Sequence, residues 1–252
     1  GRVLSRRELL SLFGTTGAAL FLGACIAGGP GGPGGGPAAE TSGVTAEAAA
    51  TANATLPPSC VVRPELTEGP VFVEEDLNRS DIRLDPSSGA VSEGVQFDLT
   101  FNISQVASSA CTPLGDVQVD IWHCDAAGIY SDTSELGMDT VGQKFLRGYQ
   151  KTDANGMAKF TTIYPGWYEG RAVHIHVKIR NDQGYEFTSQ LFFDDALTDE
   201  VFKAEPYASK GERSLRNEDD GIYQQSGGQL LLDVTPTATG YAATFDIGLQ
   251  IS

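Results

Sequence analysis

A short, strictly alternating segment constrains the fold of this chain more than any other feature. Over residues 173–180, valine and isoleucine alternate with histidine, lysine and arginine. This period of two predicts a β-strand that is buried on one face. His174 and His176 then project from the other face, roughly 6–7 Å apart along the backbone. Two imidazoles placed in this way can bind one metal ion, although two polar residues on a solvent-exposed face would give the same pattern.

Aromatic residues immediately precede this strand. Tyr164, Trp167 and Tyr168 lie in a run bent by proline and glycine, and Arg171 follows them. A phenolate oxygen is a hard donor that suits a ferric ion better than zinc, whose protein ligands are mainly cysteine, histidine and carboxylate. The tyrosines beside the histidine pair therefore indicate iron(III). A zinc hydrolase is the alternative, but the sequence contains no H-E-x-x-H motif.

The remaining periodicity predicts an all-β fold. Short alternating segments separated by turns, with little helical periodicity, are typical of a β-sandwich with long loops. We expect a turn at 111–116, polar loops at 131–148 and 206–225, and a short helix at 199–204. Strands are predicted at residues 95–106, 117–124, 157–163, 173–180, 185–193, 229–234 and 241–251, with a hairpin turn at 181–184.

Composition divides the chain into three parts. Residues 1–25 carry the twin arginine Arg6 and Arg7 followed by a short apolar stretch, which predicts an export signal of the twin-arginine type. Residues 26–59 are rich in glycine, proline, alanine and threonine and predict a disordered linker, because such a composition cannot bury a core. Residues 60–252 then form the β-sandwich domain. We expect a cell-surface lipoprotein or a periplasmic or extracellular protein.

The cysteines fit an exported protein. The run L-G-A-C, which ends at Cys25, resembles the lipobox of bacterial lipoproteins, so a lipid on Cys25 is the expected membrane attachment. An ordinary signal in which this cysteine is incidental is the alternative. Outside the cytoplasm, one disulfide is expected among Cys60, Cys111 and Cys124, but the sequence does not choose the pair.

The net charge excludes some classes of partner. The formal charge of −16 argues against nucleic-acid binding, which needs clustered lysine and arginine. It also argues against electrostatic adhesion to anionic lipid. An acidic surface suits a soluble exported protein. The sequence does not determine the oligomeric state.

Four segments, in order along the chain, resemble the intradiol ring-cleavage dioxygenases. The run P-G-W-Y-E-G-R-A-V-H-I-H at 165–176 resembles the metal-binding segment of that family. The run I-W-H-C-D-A-A-G-I-Y-S-D at 121–132 resembles the segment that carries its first tyrosine ligand. T-E-G-P-V-F at 67–72 and T-S-Q-L-F-F at 188–193 are similar to its opening segment and to a later strand. The resemblance covers most of residues 60–195.

This resemblance implies an enzyme with non-haem iron(III) in a β-sandwich core. Its metal ligands would be Tyr130, Tyr168, His174 and His176, with water or hydroxide completing the coordination sphere. Such an enzyme opens a catechol-type ring between its two hydroxyls with O2 and gives a cis,cis-muconate-type diacid. A non-catalytic binding module of the same fold, tethered to the cell surface, is the alternative. The presence of all four ligand residues favours the enzyme.

The resemblance also assigns roles around the metal. Arg171 matches an arginine that stabilises the electron-rich substrate, and Gln190 matches a position next to the ligands. Tyr168 matches the ligand that the substrate displaces and that then takes a catechol proton. It is preferred to Tyr164, for which we expect a core position, because P-G-W-Y aligns with the family's Pro-Gly-x-Tyr. His123 falls at a position that is not a ligand, and we expect it to pack or to hydrogen-bond.

Overall fold

Two β-sheets packed face to face form the part of the chain that the structure describes. The computed structural model describes residues 61–107 and 110–251, so the signal and the linker predicted for residues 1–59 lie outside the described residues. Within this part the all-β sandwich is confirmed, and no helix is long and apolar enough to cross a membrane. The strands are β1 Gln96–Ala107, β2 Ala110–Pro113, β3 Gln118–Trp122, β4 Arg147–Lys151, β5 Met157–Ile163, β6 His174–Arg180, β7 Glu186–Phe192, β8 Val234–Pro236 and β9 Gly240–Leu249.

The first sheet is built around strand β1. On one side β1 pairs antiparallel with β5 and then with β2, and on the other side it runs parallel to β9, whose far edge holds β8. The alternating apolar residues of β1 point into the sandwich, as the sequence predicts. Each of these fully buried side chains contributes about 1.5–3 kcal/mol of transfer free energy. They are Phe97, Leu99, Phe101 and Ile103, all 0% exposed.

The second sheet, in the order β4-β3-β6-β7, presents the two histidines. On β6 the odd-numbered residues face the first sheet, so His174 and His176 lie on the outer face. The antiparallel register sets His176 directly between Trp122 of β3 and Gln190 of β7. Side chains at paired positions lie about 4.5–5.5 Å apart at their Cβ atoms, so both neighbours can contact the imidazole.

Strand β6 differs from its prediction in one respect. The alternation predicted a strand buried on one face, but both faces are buried from His174 to Lys178. Loops cover the outer face: the phenol ring of Tyr130 packs on His176, and the ring of Phe72 lies 4.6 Å from the ammonium of Lys178. A period of two reports which side chains share a face and not what covers that face.

Two predictions near the strand edges were wrong. The expected turn at 111–116 begins with β2, because residues Ala110–Pro113 pair antiparallel with the end of β1. The strand expected at 229–234 forms only at its end, in β8 at Val234–Pro236, and Leu231 instead bridges to Phe192. Strands β2 and β8 are only four and three residues long, too short for alternation to reveal them, and each pairs with a strand nearby in the sequence. The bridge of Leu231 to Phe192 joins residues distant in sequence, which a local pattern does not contain.

Helical structure was also misplaced. The helix expected at 199–204 is α1, Asp195–Val201, and it starts earlier because the carboxylate of Asp194 accepts the amide of Leu197 as an N-cap. The predicted polar loop 206–225 contains two 3-10 helices, Ala208–Lys210 and Asn217–Asp219, and a short α-helix, α2, Gly221–Gln225. Asp220 caps α2 in the same way as Asp194 caps α1.

Candidate metal centre

Four side chains predicted as metal ligands converge on one point at the outer face of the second sheet. The Nε2 atoms of His174 and His176 are 3.1 Å apart. The phenol oxygens of Tyr130 and Tyr168 each lie 3.3 Å from the same Nε2 atom of His174. The histidines come from strand β6 and the tyrosines from two different loops, so the tertiary fold assembles the cluster.

The polar atoms of the cluster are arranged in a way that suits binding of a shared cation better than hydrogen bonding to one another. Nδ1 of His174 donates to the carbonyl of Ala172 at 2.6 Å, so Nε2 of the neutral ring carries a lone pair. Three groups, the two phenols and Nε2 of His176, crowd this one lone pair. A single cation among four donor atoms would be bound by all of them at once. Orientation of a ligand histidine by a backbone carbonyl is also a common feature of metal sites.

The spacing of the donor atoms agrees with shared coordination. Metal–nitrogen bonds of about 2.0–2.1 Å separated by 90–120° place neighbouring donor atoms about 2.9–3.6 Å apart. The observed separations of 3.1–3.3 Å fall within this interval. Among the described residues, no group of three or more His, Cys, Asp or Glu side chains could hold a metal ion, so the donor set of this cluster is the two phenols and the two imidazoles.

Burial keeps the cluster neutral in the absence of a cation. Burial lowers the pKa of His174 to about 3, with help from the charge of Arg171, and lowers the pKa of His176 well below its ordinary value. Burial likewise raises the pKa of the Tyr130 and Tyr168 phenols, and for Tyr168 the nearby Arg171 guanidinium opposes this rise. Two phenols and two lone-pair imidazoles are ready to bind a cation, which would favour their deprotonated forms.

The surroundings of His176 hold its ring in place. The indole of Trp122 stacks on the imidazole at a centroid distance of 4.8 Å and an interplanar angle of 8°. On the loop that covers the sheet, a Cβ at Gly69 would come within 3.4 Å of the ring carbon Cε1. Nδ1 of His176 is buried and has no hydrogen-bond partner among the described residues. Packing on Trp122 therefore orients this imidazole together with its Nε2 contact to His174.

Arg171 and Gln190 lie together beside the cluster. The guanidinium of Arg171 donates to Oε1 of Gln190 at 2.5 Å, and Nε2 of Gln190 donates to the carbonyl of Thr67 at 2.8 Å. The Arg171 side chain is 16% exposed, so part of it reaches solvent. The structure thus places both predicted residues in one hydrogen-bonded chain that leads from the opening segment to the ligands.

Three further residues support the site, and the sequence analysis did not identify them. Trp122 is one, because its stacking on His176 follows from the register of β3 against β6. Arg147 is another: its buried guanidinium donates to the carbonyl of Val71 at 3.1 Å and to the hydroxyl of Ser131 at 2.8 Å. The third is Asp220, which contacts Arg171. The sequence could have predicted Trp122, because the alternation of β3 places its side chain on the face of the sheet that carries the cluster.

Two aromatic residues that the sequence assigned to supporting positions lie away from the cluster. Tyr164 is fully buried in the main core, and its hydroxyl pairs with that of Thr198 at 2.7 Å. His123 donates from Nδ1 to the carbonyl of Cys124 at 2.8 Å and contacts the hydroxyl of Thr162 with Nε2 at 2.7 Å. These contacts are the packing and hydrogen-bonding roles expected for both residues.

Two of the four cysteines, Cys111 and Cys124, lie among the described residues. Cys111 is disulfide-bonded, whereas Cys124 is a buried free thiol, so the two are not partners. Cys25 and Cys60 lie outside the described residues. Burial raises the pKa of the Cys124 thiol to about 12, and this neutral group packs with Tyr130 on the outer side of the sheet.

The fold and the cluster together define a β-sandwich protein with a candidate metal centre of two phenols and two imidazoles. A family model described as dioxygenase matches residues 67–250, which include all four side chains of the cluster. The chain belongs to the intradiol ring-cleavage dioxygenase family. Among curated protein sequences, no significant match is found.

Solved structures show the same fold. An intradiol ring-cleavage dioxygenase from Tetranychus urticae is 30% identical, with a TM-score of 0.65 over 77% of this chain and 95% of that one. The dioxygenase domain of a dioxygenase carbohydrate-binding protein fusion from Streptomyces sp. SirexAA-E is 28% identical, with a TM-score of 0.55 over 76% and 100%. Catechol 1,2-dioxygenase from Acinetobacter sp. ADP1, at 23% identity, has a TM-score of 0.53 over 75% and 62% and is similar in fold.

Proposed function

We propose that this protein is a non-haem iron(III) dioxygenase that cleaves a catechol-type ring between its two hydroxyl groups with O2. Membership of the family supports the class of reaction, and the composition of the cluster supports the metal. Export by the twin-arginine route, with a lipid on Cys25, is part of the proposal and rests on the sequence alone.

The observation that carries this proposal is the convergence of Tyr130, Tyr168, His174 and His176. Hard phenolate oxygens favour a ferric ion, and neutral imidazoles bind iron as well. When bound, the ion would supply a Lewis acid that lowers the pKa of a coordinated catechol and accepts electron density from it. The protein contributes the position of each donor atom and the exclusion of water around them.

The two tyrosines differ in a way that assigns them different roles. Tyr130 is 1% exposed and fully enclosed, whereas Tyr168 is only partly buried and lies on the accessible side of the cluster. Burial raises the pKa of Tyr168 although Arg171 opposes this rise, so its phenolate oxygen is a base when it is not bound to a metal. We infer that Tyr168 accepts a proton from a substrate hydroxyl at this oxygen, while Tyr130 stays in place.

Arg171 is the cation nearest the accessible side of the cluster. Its positive charge lowers the pKa of both phenols and both imidazoles. At the histidines this effect adds to that of burial, which also lowers the pKa, whereas at the tyrosines it opposes burial, which raises the pKa. A fixed positive charge in such a water-poor site stabilises negative charge that develops on a bound aromatic ring. Gln190 holds the guanidinium from the other side and so limits its motion.

An absorption spectrum combined with iron analysis tests this function. Purified protein should contain iron and show a visible tyrosinate-to-iron(III) band, which shifts on anaerobic addition of catechol. Admission of air should then consume O2 and form a muconate-type diacid. Iron binding without turnover across a panel of catechols would support the tethered binding module instead. A colourless protein that cannot be loaded with iron would refute the enzyme and the metal together.

A further inference from the structure

Asp220 lies in the segment 206–225, for which the sequence predicts a polar loop, and its carboxylate makes two separate sets of contacts. The residue is 2% exposed. Oδ1 accepts the backbone amides of Ile222 at 2.7 Å and Tyr223 at 3.2 Å, which caps helix α2. Oδ2 accepts Nε of Arg171 at 3.0 Å and the backbone amide of Ala172 at 2.8 Å. Oδ1 therefore caps helix α2, and Oδ2 contacts two residues of the candidate metal centre.

The contacts of Oδ2 lead to a metal ligand by a short path. Ala172 donates its amide to Asp220 and accepts Nδ1–H of His174 at its own carbonyl, at 2.6 Å. By holding Ala172, Asp220 therefore fixes the position of the carbonyl that accepts the hydrogen bond from His174. Partners of this kind fix both the tautomer and the direction of a ligand histidine.

The same oxygen also fixes the functional arginine. Arg171 is held between Oδ2 of Asp220 and Oε1 of Gln190, so its guanidinium is restrained by two distant elements, the α2 segment and strand β7. Hydrogen bonds between a guanidinium and a carboxylate are directional and about twice as strong as neutral ones. Such a charged pair, with side chains only 16% and 2% exposed, keeps a defined geometry.

We propose that Asp220 is a positioning residue of the catalytic site, which acts through Arg171 and Ala172. It sets the direction of the guanidinium towards bound substrate and the orientation of the His174 ring. The proposal rests on the proposed function, since it assigns Asp220 to the same site. It makes the segment around α2 a component of the active site, although this segment is separated from the ligands by more than forty residues.

The variant Asp220→Asn separates the two tasks of the carboxylate. Its remaining carbonyl oxygen can still cap α2, because asparagine is as good an N-cap as aspartate. Its amide NH2 replaces Oδ2 and faces two donors, Arg171 Nε and the Ala172 amide, so both contacts are lost. Asp194→Asn is the matched control, since the same substitution there changes the cap of α1 and touches no residue of the site.

We expect Asp220→Asn to fold with a cap as stable as that of the control. Its kcat/KM or iron affinity should fall about 10–100-fold, the usual effect of changing a residue that supports metal ligands. The tyrosinate band should shift in the iron-loaded protein, and the Ala172 amide should exchange hydrogen faster in the metal-free protein. In an Arg171→Met background the effect of Asp220→Asn on kcat should shrink, because residues that act through one another are not additive.

The outcomes distinguish this proposal from the proposed function. A wild-type protein without iron or turnover overturns both. Wild-type activity, together with an Asp220→Asn variant that keeps the wild-type spectrum, iron affinity and kcat/KM, overturns the role of Asp220 alone. An Asp220→Asn variant that loses only thermal stability, to the same extent as Asp194→Asn, also overturns it, because that result is a capping effect. The amide exchange measurement needs no metal and reports the Ala172 contact directly.

Discussion

Single residues in this protein differ in function although they are alike in chemistry, and the two tyrosines of the P-G-W-Y region show this best. Tyr164 and Tyr168 are four positions apart, yet one pairs with Thr198 in the core and the other lies 3.3 Å from Nε2 of His174. The chain between them is irregular at Pro165 and Gly166, and Gly166 is required there because a Cβ would lie 2.4 Å from the carbonyl oxygens of residues 125 and 126.

Substitution of phenylalanine for tyrosine at these two positions should affect different properties, catalysis at Tyr168 and stability at Tyr164. Tyr168→Phe should weaken and shift the visible band, of which the Tyr130 part remains, and should lose more than about 100-fold in kcat/KM, because changes next to the ligands already cost up to that amount. Tyr164→Phe should keep iron and activity and lose about 1–2 kcal/mol of unfolding free energy, from the hydrogen bond to Thr198. Iron content, spectra and urea unfolding measure both. The reverse pattern would make Tyr164 the ligand.

His123 should make the fold sensitive to acid. Burial lowers its pKa to about 4 in the folded protein, below the unfolded value of about 6.5. Its contribution to stability is therefore complete above pH 6.5 and is lost as the pH falls towards 4, by on the order of 3 kcal/mol. Urea unfolding of metal-free protein between pH 7 and 4 should show a smaller loss for His123→Gln than for wild type. Parallel pH profiles would contradict this assignment.

At the scale of elements, the sequence could predict the strands that carry their own pattern. Strands β1, β3, β5, β6, β7 and β9 lie at positions predicted from the sequence, and the histidine pair was found from alternation on β6. The two tyrosine segments were found from resemblance. The strands β2 and β8, the start of helix α1 and the helical turns of 206–225 were not predicted, because segments of three to seven residues carry too little pattern. Arg147 and Asp220 were missed for another reason, since their site contacts span 76 and 49 residues.

Arg147 illustrates how one element fixes two others. Arg147 is the first residue of strand β4. Its guanidinium donates hydrogen bonds to Ser131, in the loop after Tyr130, and to Val71, in the segment 67–72. Arg147→Met would leave buried carbonyls unpaired and should cost about 2–4 kcal/mol of unfolding free energy. It should also weaken iron binding, since Ser131 adjoins a ligand. Thermal unfolding and a chelator competition assay measure the two effects.

An arginine away from the cluster provides the control for this prediction. Arg63 also donates to backbone carbonyls, those of Asp246 and Gln229, but it does so beside the first sheet. Arg63→Met should lower stability and leave iron affinity unchanged. Equal losses of iron affinity in both variants would show that the effect of Arg147 is a general loss of stability and not a local effect on the Tyr130 loop.

At the scale of the whole molecule, iron should act as a part of the fold. The cluster joins strand β6 to the loops that carry Tyr130 and Tyr168, so a bound ion would tie three chain segments together. A ligand that binds only the folded state stabilises it by about 2.7 kcal/mol at a free concentration one hundred times its Kd. Removal of iron should therefore lower the unfolding temperature, and reloading should restore it.

The size of this stabilisation should depend on pH with a definite sign. Burial raises the pKa of both phenols, so the metal-free cluster holds two protons that iron binding releases. The gap in unfolding temperature between iron-loaded and metal-free protein should therefore widen as the pH rises from 6 to 8. Calorimetry of both forms measures the gap, and His176→Ala, which lacks one donor, should show little gap at any pH. A gap independent of pH would mean that the phenols do not lose their protons to the metal, and that the histidines alone bind it.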